Sequence, residues 1–288
     1  MKVLLTGAGG GLGSVVQQVA AGMDKVDLRA FSRTALDITD GEAVAEALIA
    51  HKPDYVINAA AFTHVDKAET QRKEAFLLNA CCLEPMTKAC QSVGAVLVHI
   101  STDYVFDGNK HTPYTEEDPA HPINVYGASK REGEVAVLAY EKGVVIRTSW
   151  IYSLHSKNFL AAIPHLLRSR TDVLRIEDSQ KNSPTYAPHL ADALFALMNK
   201  GISHGLFHYT NTGGGCTRYE FACAVKEKIY AKKPGAVLAP IEPFKASTAE
   251  QSGLARRPLY SVMSAQKIAD LLELDIPHWQ SGIDNLIL

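Results

Sequence analysis

Apolar residues come along this chain in two rhythms. Short apolar runs stand at Val3-Leu4-Leu5, 28–31, Tyr55-Val56-Ile57, 96–100 and Val144-Val145-Ile146. Between them lie longer stretches with helical spacing, at 11–22, 40–51, 72–93 and 126–141; in the second, Ala43, Val44, Ala47 and Leu48 share one face. Pro85 predicts a kink in the third. The apolar runs are continuous rather than alternating, as in strands buried on both faces. Together they predict an α/β fold: a doubly wound parallel sheet with helices on either side. Ligands of such sheets bind at the carboxyl ends of the strands.

Beyond residue 150 the pattern loosens. Helices are expected at 158–168, 188–198, 219–230 and 264–272, a strand at 206–209, and an exposed connection over 232–243, which carries three prolines. This predicts a main domain over 1–150 and a smaller C-terminal substrate-binding lobe over 151–288, packed on the carboxyl edge of the sheet. Exchange of segments between the two is left open.

The turn after the first strand reads Thr6-Gly7-Ala8-Gly9-Gly10-Gly11-Leu12-Gly13. A G-x-G-x-x-G register fails, because Leu12 stands where the third glycine belongs. The register Gly7-x-x-Gly10-x-x-Gly13 works: a tight turn, a close approach for a pyrophosphate, and close packing of helix on strand. The first helical residues, Gly11 and Leu12, then offer N–H groups to phosphates at the positive end of a helix. A glycine turn alone is weak; one between an N-terminal strand and a helix is the dinucleotide cradle of a Rossmann-like fold. The second strand ends Phe31-Ser32-Arg33-Thr34, with no acid to hold ribose hydroxyls. Ser32 and Arg33 suit a 2′-phosphate instead, so NADPH is expected, with NADH as the alternative. Asp37 and Ile38 are placed to line the adenine, and Ala59, Ala60 and Ala61 to let the cofactor lie against the backbone.

Ser101-Thr102-Asp103-Tyr104 follows the fourth strand, and Tyr126-Gly127-Ala128-Ser129-Lys130 opens the next helix. Tyr126 and Lys130 share a helix face. A phenol with a pKa of about 10 is a poor acid–base group, and a nearby ammonium lowers it toward the working range. Thr102 can polarise a carbonyl, Tyr126 can protonate its oxygen, and Lys130 can also hold the nicotinamide ribose. Tyr-x-x-x-Lys is common by chance; its weight here comes from its place after the strand-terminal Ser-Thr and downstream of the glycine turn.

Charge and composition narrow the class. Lys+Arg number 29 against 31 Asp+Glu, a net charge of −2, so there is no surplus to neutralise a nucleic-acid backbone. Hydrophobic residues at 47% fit a folded globular chain. The five cysteines, two of them adjacent, form no C-x-x-C pair and suggest reduced thiols in the cytoplasm. The N-terminal apolar run is too short for a signal peptide or a membrane span. The eleven histidines are scattered, His99 reads as a core residue, and no metal site is expected.

These motifs resemble the extended short-chain dehydrogenase/reductase superfamily, and within it the dTDP-4-dehydrorhamnose reductase family. The likeness rests on Thr6–Gly13, on Asp54–Ala61 with Thr63 to Glu69, on Ser101–Gly108, Asn124–Lys130 and Pro184-Thr185, and on Arg257-Pro258-x-x-Ser261, spread over nearly the whole chain. The resemblance implies NADPH-dependent reduction of the 4-keto group of a nucleotide-linked deoxysugar, as in dTDP-rhamnose or surface-polysaccharide biosynthesis, with Thr102, Tyr126 and Lys130 catalytic. Two positions depart from the family pattern: Asn182 and Ser156 stand where glycine is usual, both in the sugar-binding lobe. On the substrate side, Tyr104, Phe106 and Trp150 are candidates for the sugar pocket; Arg257 is the first candidate for the diphosphate, Arg256 could serve equally, and an ordinary surface place for both is left open. Tyr152 fits either the ligand or ordinary packing. Tyr104 replaces the Glu of related dehydratases, which argues against dehydration. A sugar-nucleotide epimerase, or an NADP-binding regulatory subunit like the methionine adenosyltransferase beta subunit, are the alternative readings. The expected partner is a small nucleotide sugar, not nucleic acid or membrane; a homodimer is left open.

Overall fold

The computed structural model describes residues 1–154, 158–245 and 254–285. In chain order the first half carries β1 (Lys2–Thr6), α1 (Gly11–Ala20), β2 (Asp27–Phe31), α2 (Gly41–His51), β3 (Tyr55–Asn58), α3 (Val65–Thr70), α4 (Arg72–Phe76), a π turn (Leu77–Cys81), α5 (Leu83–Val93), β4 (Val96–Thr102), α6 (Val125–Leu138) and β5 (Gly143–Thr148). Then come β6 (Ile151–Tyr152), α7 (Phe159–Ser169), β7 (Leu174–Glu177), β8 (Thr185–Tyr186), α8 (Ala187–Asn199), β9 (Gly205–His208), α9 (Arg218–Lys232), β10 (Ile241–Phe244), α10 (Gln266–Leu272) and α11 (Ser281–Asp284).

Six strands form one sheet in the order β2-β1-β3-β4-β5-β9, every pair parallel. The order reverses between β1 and β3, and the crevice at such a switch is where these sheets bind ligands. β3, β4 and β5 are buried along their whole length, which is why they read as continuous apolar runs. The edge strand β2 carries exposed Asp27. Alternate residues feed two cores. Val3, Leu5, Ile57 and Val98 pack under α1 and α8, while Leu4, Val56 and Leu97 pack under α2, α5 and α6.

The expected single helix over 72–93 is three pieces. The irregularity is the π turn at Leu77–Cys81, upstream of Pro85, which sits in the first turn of α5. There its missing N–H breaks no helical bond. The turn sends Asn79 inward, where its amide bridges Phe62 N (2.8 Å), Phe62 O (3.1 Å) and Ser129 Oγ (2.9 Å). The stretch 232–243 is also more ordered than an exposed connection: Leu238 and Ala239 are buried, and Ile241–Phe244 pairs with β7. Pro243 is tolerated because a two-stranded sheet is all edge.

Chain beyond residue 150 serves both parts of the molecule. β9 extends the main sheet and α8 packs on α1, so this segment belongs to the core of the sheet. The remaining lobe gathers α7, α9, α11 and the two-stranded pairs around a separate core that includes Phe221, Tyr152 and Trp279.

α6 is seated at backbone contact. A Cβ on Gly127 would lie 2.0 Å from Tyr104 O, and one on Gly133 would lie 2.0 Å from Asn79 O. Beside Gly133, the fully buried Glu134 holds Arg147 through two bonds of 2.8 Å and also accepts from Ser101 Oγ at 2.6 Å. One carboxylate thus ties α6 to β4 and β5. Removing it leaves a buried guanidinium uncompensated, which costs about 3–5 kcal/mol. Glu134→Ala is therefore expected to lower the unfolding free energy by about that amount in urea titration. Glu84→Ala, which removes the exposed Glu84–Lys88 pair, should leave the midpoint in place.

Candidate active site

A cleft of about 1140 Å³ opens at the carboxyl ends of the central strands, and it brings most of the expected residues together. At one end lies the glycine turn. Gly7 has φ +75°, and a Cβ there would sit 2.5 Å from Ala60 N, so only glycine fits. Gly10 caps α1, and its own N–H donates to Gly7 O at 2.9 Å. α1 has no side-chain cap and no acid in its first turn. Gly7, Gly10, Gly11 and Leu12 line the cleft, joined by Gly9 and Ser14. Gly13 does not line it: a Cβ there would lie 2.2 Å from Gly7 O, so this glycine seats the helix on the turn rather than touching a ligand.

Ser32, Arg33, Asp37, Ile38, Ala59, Ala60 and Ala61 also line the cleft. Ser32 Oγ is 3.0 Å from Thr34 Oγ1. The Asp37 carboxyl is held below its usual range, first by the Thr39 N–H and hydroxyl and to a lesser degree by Arg33. Arg33 itself is exposed, and no ion pair engages it among the described residues. A cradle that a Cβ would fill, an uncapped helix end and a free guanidinium at the tip of β2 fit a phosphorylated dinucleotide.

At the other end, Thr102 closes β4 and lines the cleft together with Tyr126. Tyr104 stands edge-on to Tyr126 with ring centres 5.6 Å apart. Burial pushes the Tyr126 phenol up. The expected lowering by Lys130 is not what this arrangement shows. Lys130 Nζ, buried, turns to Ile100 O (2.7 Å) and His99 Nε2 (3.0 Å), while Thr102, Asp103 and Tyr104 are the groups that act on Tyr126. Burial brings Lys130 itself down to about 8.

Several expectations fail on position. Phe106 is fully buried, stacked on Tyr114 at 4.1 Å with the Arg147 guanidinium 5.1 Å from its ring centre, and lines no part of the cleft. Arg257 is not free to grip a diphosphate: it pairs with Asp66 at 2.8 Å, donates to Ala255 O at 3.3 Å, and is not among the residues that line the cleft. Tyr152 is a core residue whose hydroxyl donates to Trp279 O. Trp150 does line the cleft, in a left-handed conformation with φ +38°. Of the two departures from the family pattern, Asn182 pairs with Cys216 away from the cleft lining, and Ser156 lies outside the described residues.

Other cleft residues were not singled out from the sequence. Thr63, Val65, Leu78, Thr148, Ile151 and Asn158 complete the walls. Asp103 lies beneath Thr102, bonded by Ser261 Oγ at 2.5 Å and Thr102 Oγ1 at 3.2 Å, and burial raises its carboxyl to about 6. Its signal was its place inside the Ser-Thr-Asp-Tyr run. Glu69 accepts from Val125 N at 2.9 Å and so holds the start of α6. No cluster of three or more metal-ligating side chains occurs among the described residues.

The family model for the RmlD substrate binding domain matches residues 1–288. The chain is 36% identical to the dTDP-4-dehydrorhamnose reductase of Escherichia coli (strain K12), over 100% of this chain and 97% of that one. Two crystal structures are similar, each with a TM-score of 0.88. One is a dTDP-4-dehydrorhamnose reductase from Clostridium acetobutylicum, 35% identical and covering 99% of this chain and 97% of its own. The other is the Bacillus anthracis enzyme in complex with NADP, 34% identical and covering 98% and 97%.

Arg33→Ala should weaken NADPH binding roughly 10- to 100-fold, the worth of a charged hydrogen bond, and leave NADH binding unchanged. Fluorescence titration with each nucleotide reads the difference; equal losses for both would remove Arg33 from 2′-phosphate recognition.

Proposed function

The chain belongs to the RmlD substrate binding domain family, and from that premise we propose that it is an NADPH-dependent dTDP-4-dehydrorhamnose reductase acting on the 4-keto group of a nucleotide-linked deoxysugar. The observation that carries this reading is that Thr102, Tyr126 and Lys130 line the same cleft as the glycine cradle.

NADPH, when bound, supplies the hydride that the carbonyl carbon receives. The chain's own residues handle the oxygen and its proton. The keto oxygen sits between Thr102 and Tyr126, where the threonine hydroxyl polarises the carbonyl by donating to its oxygen. Tyr126 gives its proton to that oxygen as carbon becomes tetrahedral. A phenol held above its usual value carries this proton throughout the neutral range, as a general acid must. Lys130, one turn along α6 on the same face and lining the same cleft, is the group to which this reading assigns the return of a proton to the phenolate. Tyr104 and Trp150 offer aromatic surfaces to the sugar at the cleft wall. No described helix is long and apolar enough to cross a membrane, and the five cysteines are unpaired. Both suit an enzyme of the reducing cytoplasm.

The test is an absorbance assay at the nicotinamide band with dTDP-4-dehydrorhamnose. One NADPH should be oxidised per sugar reduced. Tyr126→Phe should lower kcat by about 10²- to 10⁴-fold, the worth of a positioned general acid, with the Kd for NADPH unchanged. An isomerised sugar with no net oxidation would overturn the reductase reading, and unchanged turnover in the variant would remove Tyr126 from the chemistry.

A further inference from the structure

Thr6, Asn58 and His99 stand in direct register across β1, β3 and β4. Their side chains form an unbroken polar line under α6, each of them 1% exposed or less. Thr6 Oγ1 donates to Asn58 Oδ1 (2.7 Å), Asn58 Nδ2 faces His99 Nδ1 (3.1 Å), and His99 Nε2 faces Lys130 Nζ (3.0 Å).

The protons on this line can be assigned by elimination. The Ala60 backbone N–H lies 3.2 Å from the Asn58 side chain and can only donate, so the atom facing it is the amide oxygen. The other end of that amide is then NH₂, which also only donates. His99 Nδ1 must therefore accept. A neutral imidazole has one N–H, and it falls on Nε2. The partner of that N–H is Lys130 Nζ, which accepts only if it keeps a lone pair; its donor bond to Ile100 O at 2.7 Å is compatible with that state. An ammonium at Lys130 would reverse the chain: Nε2 would accept, Nδ1–H would meet the amide NH₂, and Asn58 could relieve the clash only by turning its oxygen away from Ala60 N.

We propose that Asn58, acting through His99, is a positioning residue that favours the neutral amine of Lys130 over its ammonium form. The other ionisable groups facing Lys130 do not take this part. Glu134, on the same helix, favours the ammonium but is committed to Arg147, Ser101 and Arg131. The Cys82 thiol at the end of the π turn is pushed up to about 12 by burial and stays neutral. Tyr126, one turn back on α6, keeps its proton. His99 is held neutral by burial. The polar line works with burial, which brings Lys130 from 10.5 to about 8. A lysine at its ordinary value would hold its proton too tightly to pass it on; one with a value near the working pH can give a proton and regain it.

The test uses the full chain labelled with ¹⁵N and ¹³C, with no nucleotide added, so it stands apart from the proposed activity. Ring-nitrogen shifts report the His99 tautomer, with His99→Gln identifying the signal, and the Lys130 ¹³Cε shift reports its titration. At about pH 9.5, above the value to which Lys130 is lowered, His99 is expected as the Nε2–H tautomer. In Asn58→Asp a carboxylate oxygen replaces the NH₂ and accepts from Nδ1–H. His99 should then switch to the Nδ1–H tautomer, and the Lys130 midpoint should rise by about one unit or more. Nδ1–H in the unsubstituted protein at that pH overturns the proposal without reference to the variant. So does an unchanged tautomer or midpoint in Asn58→Asp.

Discussion

The seating of α6 against β4 is the constraint on which the rest of the site depends. Two glycines without room for a Cβ, Gly127 against Tyr104 O and Gly133 against Asn79 O, bring the helix to backbone contact with its neighbours. Glu134 then locks it by a bidentate bond to Arg147 on β5 and a bond to Ser101 on β4. At its start, Asn124 caps Gly127 N at 2.7 Å and Glu69 takes Val125 N. Tyr126 and Lys130 are thereby held against the end of β4, where Thr102 sits. The proposed proton transfer needs placement to within a fraction of an ångström, and a helix fixed at five points along its first three turns provides that rigidity.

The glycine turn imposes a second close contact at the far end of the same cleft. Gly7 against Ala59 and Ala60, and Gly13 against Gly7 O, draw β1, β3 and α1 together at the point where the strand order reverses. The cofactor and substrate are both anionic, yet the chain is nearly neutral, with a net charge of −2. Few cations are therefore deployed in the cleft. Arg33 and Lys130 line it, whereas Arg257 serves the wall by pairing with Asp66. An uncapped helix end supplies further positive potential from the backbone alone.

The sheet was legible in the sequence because full burial removes the need for polar alternation, so 55–57, 96–100 and 144–146 are unmistakable as apolar runs. The glycine register and the Tyr126–Lys130 spacing were legible because each depends on local geometry. What could not be read depended on the side to which a residue turns after its strand ends. Phe106 and Tyr104 are two residues apart in one short loop, yet one enters the core beneath Arg147 and the other lines the cleft. Arg257 looked free because its partner, Asp66, lies 191 residues away. The break in 72–93 was assigned to Pro85, the visible helix breaker, when the π turn upstream is set by a tertiary demand, the bonds of Asn79 to Phe62 and Ser129. His99 read correctly as buried, but a strand pattern cannot disclose that it stands in register with Asn58 and Thr6.

The proposed activity rests on a hydride delivered to a sugar carbonyl whose oxygen Thr102 and Tyr126 are proposed to hold. Its most direct test is isotope transfer from NADPH carrying deuterium at the reactive nicotinamide position to dTDP-4-dehydrorhamnose, with the product read by NMR. One deuterium per turnover at carbon 4 of the sugar is the predicted result. Deuterium at another carbon, or a product formed without any, would contradict that activity.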